Sequence, residues 1–289
     1  MDEGRARSRV RVPRGMADRA REFAAAGLPP AVPRDAATVI LVRPDPEVSG
    51  AEVFLLRRTR ALEFAPGACV FPGGSVDERD ADPAIAEGGW VGPAPADLGH
   101  LLDISAERAQ ALVCAAVRET FEESGVLLAG PSPAELVRDG AVLARDRRRL
   151  LDGSVSFGDL LGRRGLVLRA DLLTPWARWI TPEVSPRRFD TWFFAAALPP
   201  GQLAALTAAS SGESDSGTWW RPAAALEAAR AGEITLLPPT AVTLAELAAH
   251  ADIAGVLAQR RTITPLLPRV VVEEERAWLA MPQAVHYPL

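Results

Sequence analysis

The sequence predicts an α/β or α+β protein, because segments with strand character and segments with helix character alternate along the chain. Its 289 residues are 48% hydrophobic and 24% charged, an ordinary globular composition with enough apolar material for a sizeable core. Length alone allows one or two domains. We expect one domain over residues 34–289, preceded at residues 1–33 by an N-terminal arm and a short helix.

The composition excludes several classes of protein. Apolar runs such as residues 192–198 fall far short of the roughly 18 residues of a membrane span. The net charge of −5 argues against a dedicated nucleic-acid binder. All 32 cationic side chains are arginines, so lysine Schiff-base chemistry is excluded. Cys69 and Cys114 are too few for a disulfide framework, so we expect two buried thiols in a cytoplasmic protein, with a bridge between them as the alternative.

The first half of the chain begins with an arginine-rich segment. No apolar stretch follows it, so we expect a solvated arm over the first dozen residues rather than a signal peptide. A short helix is predicted at residues 16–26, before a run of prolines. Residues 37–42 and 52–57 predict buried strands, separated by a turn with two prolines.

Residues 77–99 are rich in Asp, Gly and Pro and predict an excursion from the core. A helix is predicted from its N-cap Ser105 to about residue 124, with Gly125 ending it. The remaining predicted elements are helices within residues 132–165, 222–231 and 240–250, strands at residues 179–181, 190–196 and 269–272, and a Gly/Ser loop at residues 210–217.

The run RETFEESGV, which begins at Arg118, is the most informative part of the sequence. At about 100° per residue, Glu119, Glu122 and Glu123 fall within an arc of about 100° beside the apolar face of the helix. Like charges at this spacing repel each other, and a hard divalent cation would neutralise them. Taken alone, however, such a triplet is more often a solvated helix face.

Together with upstream residues, this run resembles the Nudix box, G-x5-E-x7-R-E-U-x-E-E-x-G-U. Thr120 replaces the usual bulky apolar residue, and Asp80 stands where a glutamate is usual. The 43 residues between Gly74 and Arg118 exceed the spacing of the box by 30. The residues that match the box are Gly74, Arg118, Glu119, Glu122, Glu123, Gly125 and Val126.

One branch of the family tolerates such an insertion, and this sequence looks like a coenzyme A diphosphatase with a split Nudix box. Residues 53–80, 115–128 and 186–194 are similar to that branch, so the resemblance runs from about residue 36 to 250. The separate coenzyme A signature is matched in part, with its first residues displaced and Glu63 where an arginine is expected. Its matching residues are Leu55, Leu56, Arg60, Ala61, Gly67 and residues 71–74.

The resemblance implies a Nudix-type α/β/α sandwich with a mixed sheet, an insertion at about residues 81–104 and additional helices at about 132–165. We expect the insertion to be irregular or to hold one short helix, and to leave and return at nearly the same point. Gly73 and Gly74 are expected to let the backbone approach the helix closely.

The resemblance also implies site residues for a diphosphate hydrolase that uses Mg²⁺ or Mn²⁺. Glu119 would orient or deprotonate the attacking water, with Arg118 orienting the carboxylates. Glu213 and Asp215, on a later loop, remain candidates for the base. The implied metal-binding residues are Gly73, Glu119, Glu122 and Glu123, and the implied substrate-binding residues are Arg60, Phe71, Gly74, Arg188 and Glu213.

The implied substrate is coenzyme A or acyl-coenzyme A, cleaved to phosphopantetheine and adenosine 3′,5′-bisphosphate. Two alternatives stay open: the same chemistry on ADP-ribose or a dinucleotide, and a catalytically silent nucleotide-binding regulator. We expect a small-molecule nucleotide as partner, no nucleic acid and no membrane, and leave a homodimer open.

Overall fold

A mixed β-sheet between two helical layers organises the protein in the computed structural model, which describes residues 9–12, 14–27, 29–61, 65–206, 214–273, 276–282 and 285–289. In chain order, the strands of the described residues are β1 (Arg9–Arg11), β2 (Arg34–Pro44), β3 (Ala51–Arg58), β4 (Ala68–Val70), β5 (Gly73–Ser75), β6 (Trp90–Val91), β7 (Ala129–Gly130), β8 (Val167–Arg169), β9 (Thr174–Ile180), β10 (Phe189–Ala197), β11 (Ser214–Trp220), β12 (Thr235–Leu236), β13 (Pro265–Leu266), β14 (Arg269–Glu273) and β15 (Arg276–Ala280). The α-helices are α1 (Arg14–Ala26), α2 (Pro83–Gly88), α3 (Pro95–Leu102), α4 (Ala106–Ser124), α5 (Ala144–Leu151), α6 (Phe157–Arg164), α7 (Pro222–Arg230), α8 (Pro238–Leu247) and α9 (Ile253–Leu257).

Within the described residues, nine strands form the main sheet. Its order is β12-β4-β3-β2-β10-β9-β13, with β11 paired to β3 and β5 paired to β2. The central pair, β2 and β10, runs parallel, whereas β3 and β9 pair with them antiparallel. The sheet is therefore mixed, as the sequence resemblance implies.

The two faces of the sheet bury different cores because side chains alternate along each strand. Val39 and Leu41 of β2 face the core that contains α4, whereas Ile40 and Val42 face the core that contains α8. All four are fully buried, and each such side chain contributes about 1.5–3 kcal/mol relative to an exposed one. This alternation produces three layers, with α4 held flat against one face.

The insertion at residues 81–104 is more regular than the sequence predicts. It holds α2, α3 and the short strand β6 rather than a single short helix. Prolines start both helices, at Pro83 and Pro95, a position that tolerates proline because the first turn has no partner for its N–H. Ile85, Leu98 and Leu102 pack into the core that contains α4, so the insertion is not a separate compact unit.

The segment at residues 132–165 carries α5 and α6 and also packs on that core. Its buried apolar side chains include Leu143, Leu150, Phe157 and Leu160. Together with the insertion, this segment builds a wall along one side of α4. Helices lie in the region where the sequence predicts them.

Both ends of the described chain meet in a second, three-stranded sheet. β1 pairs antiparallel with β15, and β15 pairs antiparallel with β14, while α1 packs against β14 and β15. Residues 9–11 are therefore not the solvated arm that the sequence predicts, because long-range pairing with β15 orders them. β14 matches the strand predicted at residues 269–272.

Two other predictions about strands are corrected. β9 begins at Thr174, five residues before the predicted strand, although Pro175 argues locally against it. β11 begins at Ser214, inside the predicted Gly/Ser loop, because it pairs with the central strand β3. Pairing with distant strands outweighs the local composition in both cases.

Both cysteines are buried and free, as expected, so no bridge joins Cys69 to Cys114. Among the residues that the structure describes, we find no helix with the length and hydrophobicity of a transmembrane span. The homodimer and the cytoplasmic location stay predictions.

Candidate functional site

Helix α4 carries the predicted site at its C-terminal end. The Ser105 hydroxyl accepts a hydrogen bond from the Arg108 N–H at 3.2 Å, which caps the first turn. Gly125 ends the helix with a φ of 77°, in the left-handed region that glycine adopts without strain. Thr120 is fully buried, and its hydroxyl donates to the Ala116 carbonyl at 2.7 Å. This local bond explains how a polar residue replaces the usual apolar one.

Strand β5 crosses directly over the glutamates. A Cβ built on Gly74 would lie 2.5 Å from the carboxyl carbon of Glu119, so the absence of a side chain makes room for that carboxylate. The Gly73 N–H donates to the Glu123 carboxylate at 2.8 Å. The sequence predicts that both glycines open space toward the helix, but only Gly74 does. A Cβ on Gly73 would instead meet the Ala37 carbonyl oxygen of β2 at 2.5 Å.

Asp80 takes the place of the usual glutamate of the box. It is 1% exposed, and its carboxylate accepts two hydrogen bonds from Arg118, at 3.0 and 2.8 Å. It also accepts from the Asp77 N–H at 2.8 Å, closing a capping box at the 3₁₀ turn Glu78–Ala81. The insertion follows this turn, so the two halves of the split box meet in space.

Arg118 links Asp80 to the glutamates. Its guanidinium donates to Glu119 at 2.7 Å and to the Ser75 carbonyl at 2.9 Å, and lies 3.6 Å from the Glu122 carboxylate. Burial alone would lower the pKa of Arg118, but the hydrogen bond to Asp80 and the neighbouring carboxylates raise it above its usual value. Arg118 is therefore bonded to the carboxylates that it is predicted to orient, and that role stays a prediction.

The carboxylates themselves are poorly hydrated. Burial raises the pKa of Glu119 to about 7, with Arg118 opposing and Glu122 adding to the shift. Burial also raises the pKa of Glu122, again opposed by Arg118. A cation beside these groups would favour their ionised forms.

The donor chemistry of this cluster fits a hard divalent cation, and the space over Gly74 admits the Glu119 carboxylate. Glu119 and Glu122 both face Arg118, whereas Glu123 accepts a hydrogen bond from the Gly73 N–H. In the described part of the chain, no three acidic, histidine or cysteine side chains converge as a metal site. Glu119, Glu122 and Glu123 are the residues that would hold Mg²⁺ or Mn²⁺, because carboxylate oxygens are the ligands that these cations prefer.

A cavity of about 230 Å³ opens beside Arg118 and Glu122. Its charged side is formed by the 3₁₀ turn, with Asp77, Arg79 and Asp80, and its apolar side by α5, α6 and their connection. No sequence pattern marks this wall, because apolar residues of a helical segment are typical of any core. The wall residues are Leu150, Leu151, Gly153, Val155, Ser156 and Phe157.

The predicted substrate-binding residues are less well supported than the glutamates. Arg60 is exposed at the turn after β3. Phe71 is 2% exposed and packs in the core that contains α8, so it offers no ring face to a substrate. Arg188 is 7% exposed and donates to the Thr181 and Ala31 carbonyls, which makes it a structural residue rather than a phosphate ligand. Glu213 lies outside the described residues.

Comparison with known proteins agrees with this geometry. Residues 102–247 match the family model of the NUDT19 Nudix domain. The chain is 31% identical over 263 residues to the acyl-coenzyme A diphosphatase NUDT19 of Gallus gallus, covering 74% of this chain and 68% of that protein. The chain belongs to the Nudix hydrolase family. Within that family, both matches support the coenzyme A diphosphatase branch.

Two further relatives extend this result. The acyl-coenzyme A diphosphatase NUDT19 of Xenopus laevis is 28% identical over 243 residues, and the chain covers 62% of its length. A crystal structure of a NUDIX hydrolase from Alicyclobacillus acidocaldarius matches with a TM-score of 0.68 and 27% identity, over 80% of this chain and 98% of that one. The predicted α/β/α Nudix fold is thereby confirmed. The chain spans about two thirds or less of the length of these curated relatives.

Proposed function

We propose that this Nudix hydrolase cleaves the diphosphate bond of coenzyme A or an acyl-coenzyme A. The observation that carries the proposal is the seating of the Glu119 carboxylate over Gly74, with Glu122 and Glu123 on the same turn of α4. The names of the curated relatives support the coenzyme A part of the proposal. Water would add across one P–O bond of the anhydride, giving phosphopantetheine and adenosine 3′,5′-bisphosphate.

In this mechanism, Glu119 accepts the proton of the attacking water. Burial raises the pKa of Glu119 in the metal-free protein, and the bound cation would keep this carboxylate ionised and able to accept a proton. The contact with Arg118 and the space over Gly74 hold the carboxylate in one orientation. Arg118, in turn, is fixed by the two hydrogen bonds from its guanidinium to Asp80.

Glu119, Glu122 and Glu123 would hold the divalent cation, with the Gly73 carbonyl as a further oxygen ligand. When bound, Mg²⁺ or Mn²⁺ neutralises diphosphate charge and lowers the pKa of water. Without it, this group of carboxylates would repel a diphosphate. The protein alone therefore supplies orientation and a base, but not the charge that the substrate requires.

Turnover of a panel of diphosphates tests the proposal. The purified protein is incubated with coenzyme A, an acyl-coenzyme A, ADP-ribose and a dinucleotide, each with Mg²⁺, with Mn²⁺ and with a chelator. We expect metal-dependent release of phosphopantetheine and adenosine 3′,5′-bisphosphate from the first compound. Cleavage of ADP-ribose with coenzyme A untouched would replace the substrate assignment. No turnover on any compound would favour a silent regulator.

A further inference from the structure

The last turn of α4, which carries Glu122 and Glu123, is held from outside the helix. The final four carbonyls of any helix lack intrahelical partners. Here the Phe121 carbonyl accepts from the Gly125 N–H at 2.9 Å, and the Ser124 carbonyl accepts from the Ala205 N–H at 3.0 Å. The Glu122 carbonyl is held by a side chain from the added helix α5.

That side chain is Arg147. Its Nε and Nη2 atoms both donate to the Glu122 carbonyl, at 3.0 and 2.7 Å. Arg147 is 4% exposed, and its Nη1 lies 3.3 Å from where a Cβ on Gly125 would be. A guanidinium at this position also complements the negative end of the helix macrodipole.

Arg147 also interacts electrostatically with the proposed metal site. Burial lowers the pKa of Arg147, while the nearby carboxylates of Glu122 and Glu123 oppose that shift. Arginine remains charged at neutral pH even so. The buried guanidinium of Arg147 is thus close to two of the three proposed metal ligands, Glu122 and Glu123, and is hydrogen-bonded to the backbone of Glu122.

We propose that Arg147 is a positioning residue for the metal site, which fixes the backbone of the Glu122–Glu123 turn so that both carboxylates reach the cation. This inference rests on the proposed function. It also gives the helices at about residues 132–165 a role. Arg147 of α5 lies outside the split Nudix box and hydrogen-bonds to the last turn of α4. Outer partners of this kind typically change metal affinity by about 10- to 100-fold when removed.

Two roles for Arg147 predict opposite results. If it acted only through its charge, its removal would strengthen metal binding, because a cation near Glu122 and Glu123 repels another cation. If it positions the turn, its removal weakens metal binding, because the freed carbonyl and the last turn shift. The direction of the change in affinity therefore separates the two roles.

The test uses Arg147→Met, which keeps much of the side-chain length, and Arg148→Met as the matched control. Arg148 is the next residue of α5, is exposed and carries the same charge. Binding of Mn²⁺ to the substrate-free protein is measured by calorimetry, and kcat and KM are measured with the substrate cleaved by the wild type. Hydrogen exchange reports the amides of residues 120–125 and, for comparison, those of β2.

We expect Arg147→Met to weaken Mn²⁺ binding by about 10- to 100-fold. We also expect it to lower kcat more than it changes KM and to speed exchange in the last turn of α4 but not in β2. Arg148→Met should leave all three unchanged. Unchanged or tighter Mn²⁺ binding in a folded Arg147→Met protein would overturn the inference, as would exchange that quickens equally in β2.

Two further observations keep the result decisive. If Arg147→Met does not fold, Arg147→Lys keeps the charge with a less suitable donor, and the same loss of Mn²⁺ affinity is required of it. If the wild type neither binds Mn²⁺ nor cleaves any diphosphate, the proposed function fails first. A wild type that binds and cleaves, beside an Arg147→Met protein that binds equally well, would contradict only the role of Arg147.

Discussion

The Glu119 carboxylate occupies the space that a side chain on Gly74 would fill, with 2.5 Å between its carboxyl carbon and an ideal Cβ at residue 74. Gly73, one residue earlier, is equally confined, but against the backbone of β2, where a Cβ would come within 2.7 Å of the Thr38 Cα. The two neighbouring glycines therefore serve different purposes. Gly74 makes room for a site residue, and Gly73 makes room for the sheet.

Gly74→Ala should separate activity from stability. The Glu119 side chain is flexible at its far end and can swing away, so we expect the melting temperature to change little. Because the Glu119 carboxylate is then no longer positioned to accept the proton of the attacking water, kcat should fall by about 100-fold. Gly73→Ala, which meets backbone atoms, should lower the melting temperature clearly. Full activity of Gly74→Ala would show that the position of Glu119 does not matter to the reaction.

Removing a charge from the glutamate cluster should abolish turnover without harming the fold. For Glu122→Gln we expect kcat to fall by at least about 100-fold. Burial raises the pKa of Glu122, so its ionised form is unfavourable in the metal-free protein. The melting temperature measured with a chelator should therefore stay level or rise. Glu119→Gln and Glu123→Gln should lose activity in the same way.

Glu107→Gln, at the exposed first turn of α4, is the control for these variants. It changes the same helix and the same residue type, and should keep its activity. If Glu122→Gln is as active as Glu107→Gln, the glutamates form a solvated helix face and the metal assignment is lost.

Asp80→Asn should weaken both the fold and the site. It leaves the guanidinium of Arg118, whose side chain is 12% exposed, without its charged partner on the 3₁₀ turn. Loss of one partner from such a buried pair costs about 3 kcal/mol. We expect a matching decrease in the free energy of unfolding by urea, and a lower kcat because Arg118 shifts. Glu78→Gln, two residues away and exposed, should stay within about 0.5 kcal/mol of the wild type.

The lowered pKa of Asp190 predicts that the free energy of unfolding depends on pH. Burial would raise its pKa, but hydrogen bonds from Arg178 and Arg108 outweigh burial and lower it below the usual value. A lowered pKa stabilises the fold above the unfolded-state pKa of about 3.9, and this contribution is lost as the pH falls through the folded-state pKa. Asp190→Asn should thus cost about 2 kcal/mol at pH 7 and progressively less below about pH 4.

Urea unfolding of the wild type and Asp190→Asn between pH 8 and pH 3 measures this difference, with the exposed Asp215→Asn as control. A penalty for Asp190→Asn that is constant across this range would mean that the Arg108–Asp190–Arg178 contacts contribute no charge-dependent stability.

Local patterns were sufficient to predict α4 and its two ends. Helical spacing of apolar residues, Ser105 at one end and Gly125 at the other all act within a few residues, so the sequence displays them directly. The same holds for the central strands β2, β3 and β10, whose apolar runs bury both faces. The match to the two halves of the Nudix box is the source of the proposed roles of Glu119, Glu122 and Glu123.

Tertiary structure alone decided which residues serve that helix. Arg147 lies 25 residues from Glu122 in sequence, and nothing in its local sequence marks it as a partner of α4. Asp80 holds a position of the Nudix box, but its pairing with Arg118, 38 residues away, depends on the fold. Phe71 and Arg188 were expected to bind substrate, yet Phe71, between β4 and β5, is buried in the core that contains α8, and Arg188, just before β10, is buried against backbone carbonyls. Periodicity within a segment is a local property, whereas contacts between segments depend on how all strands and helices share one limited interior.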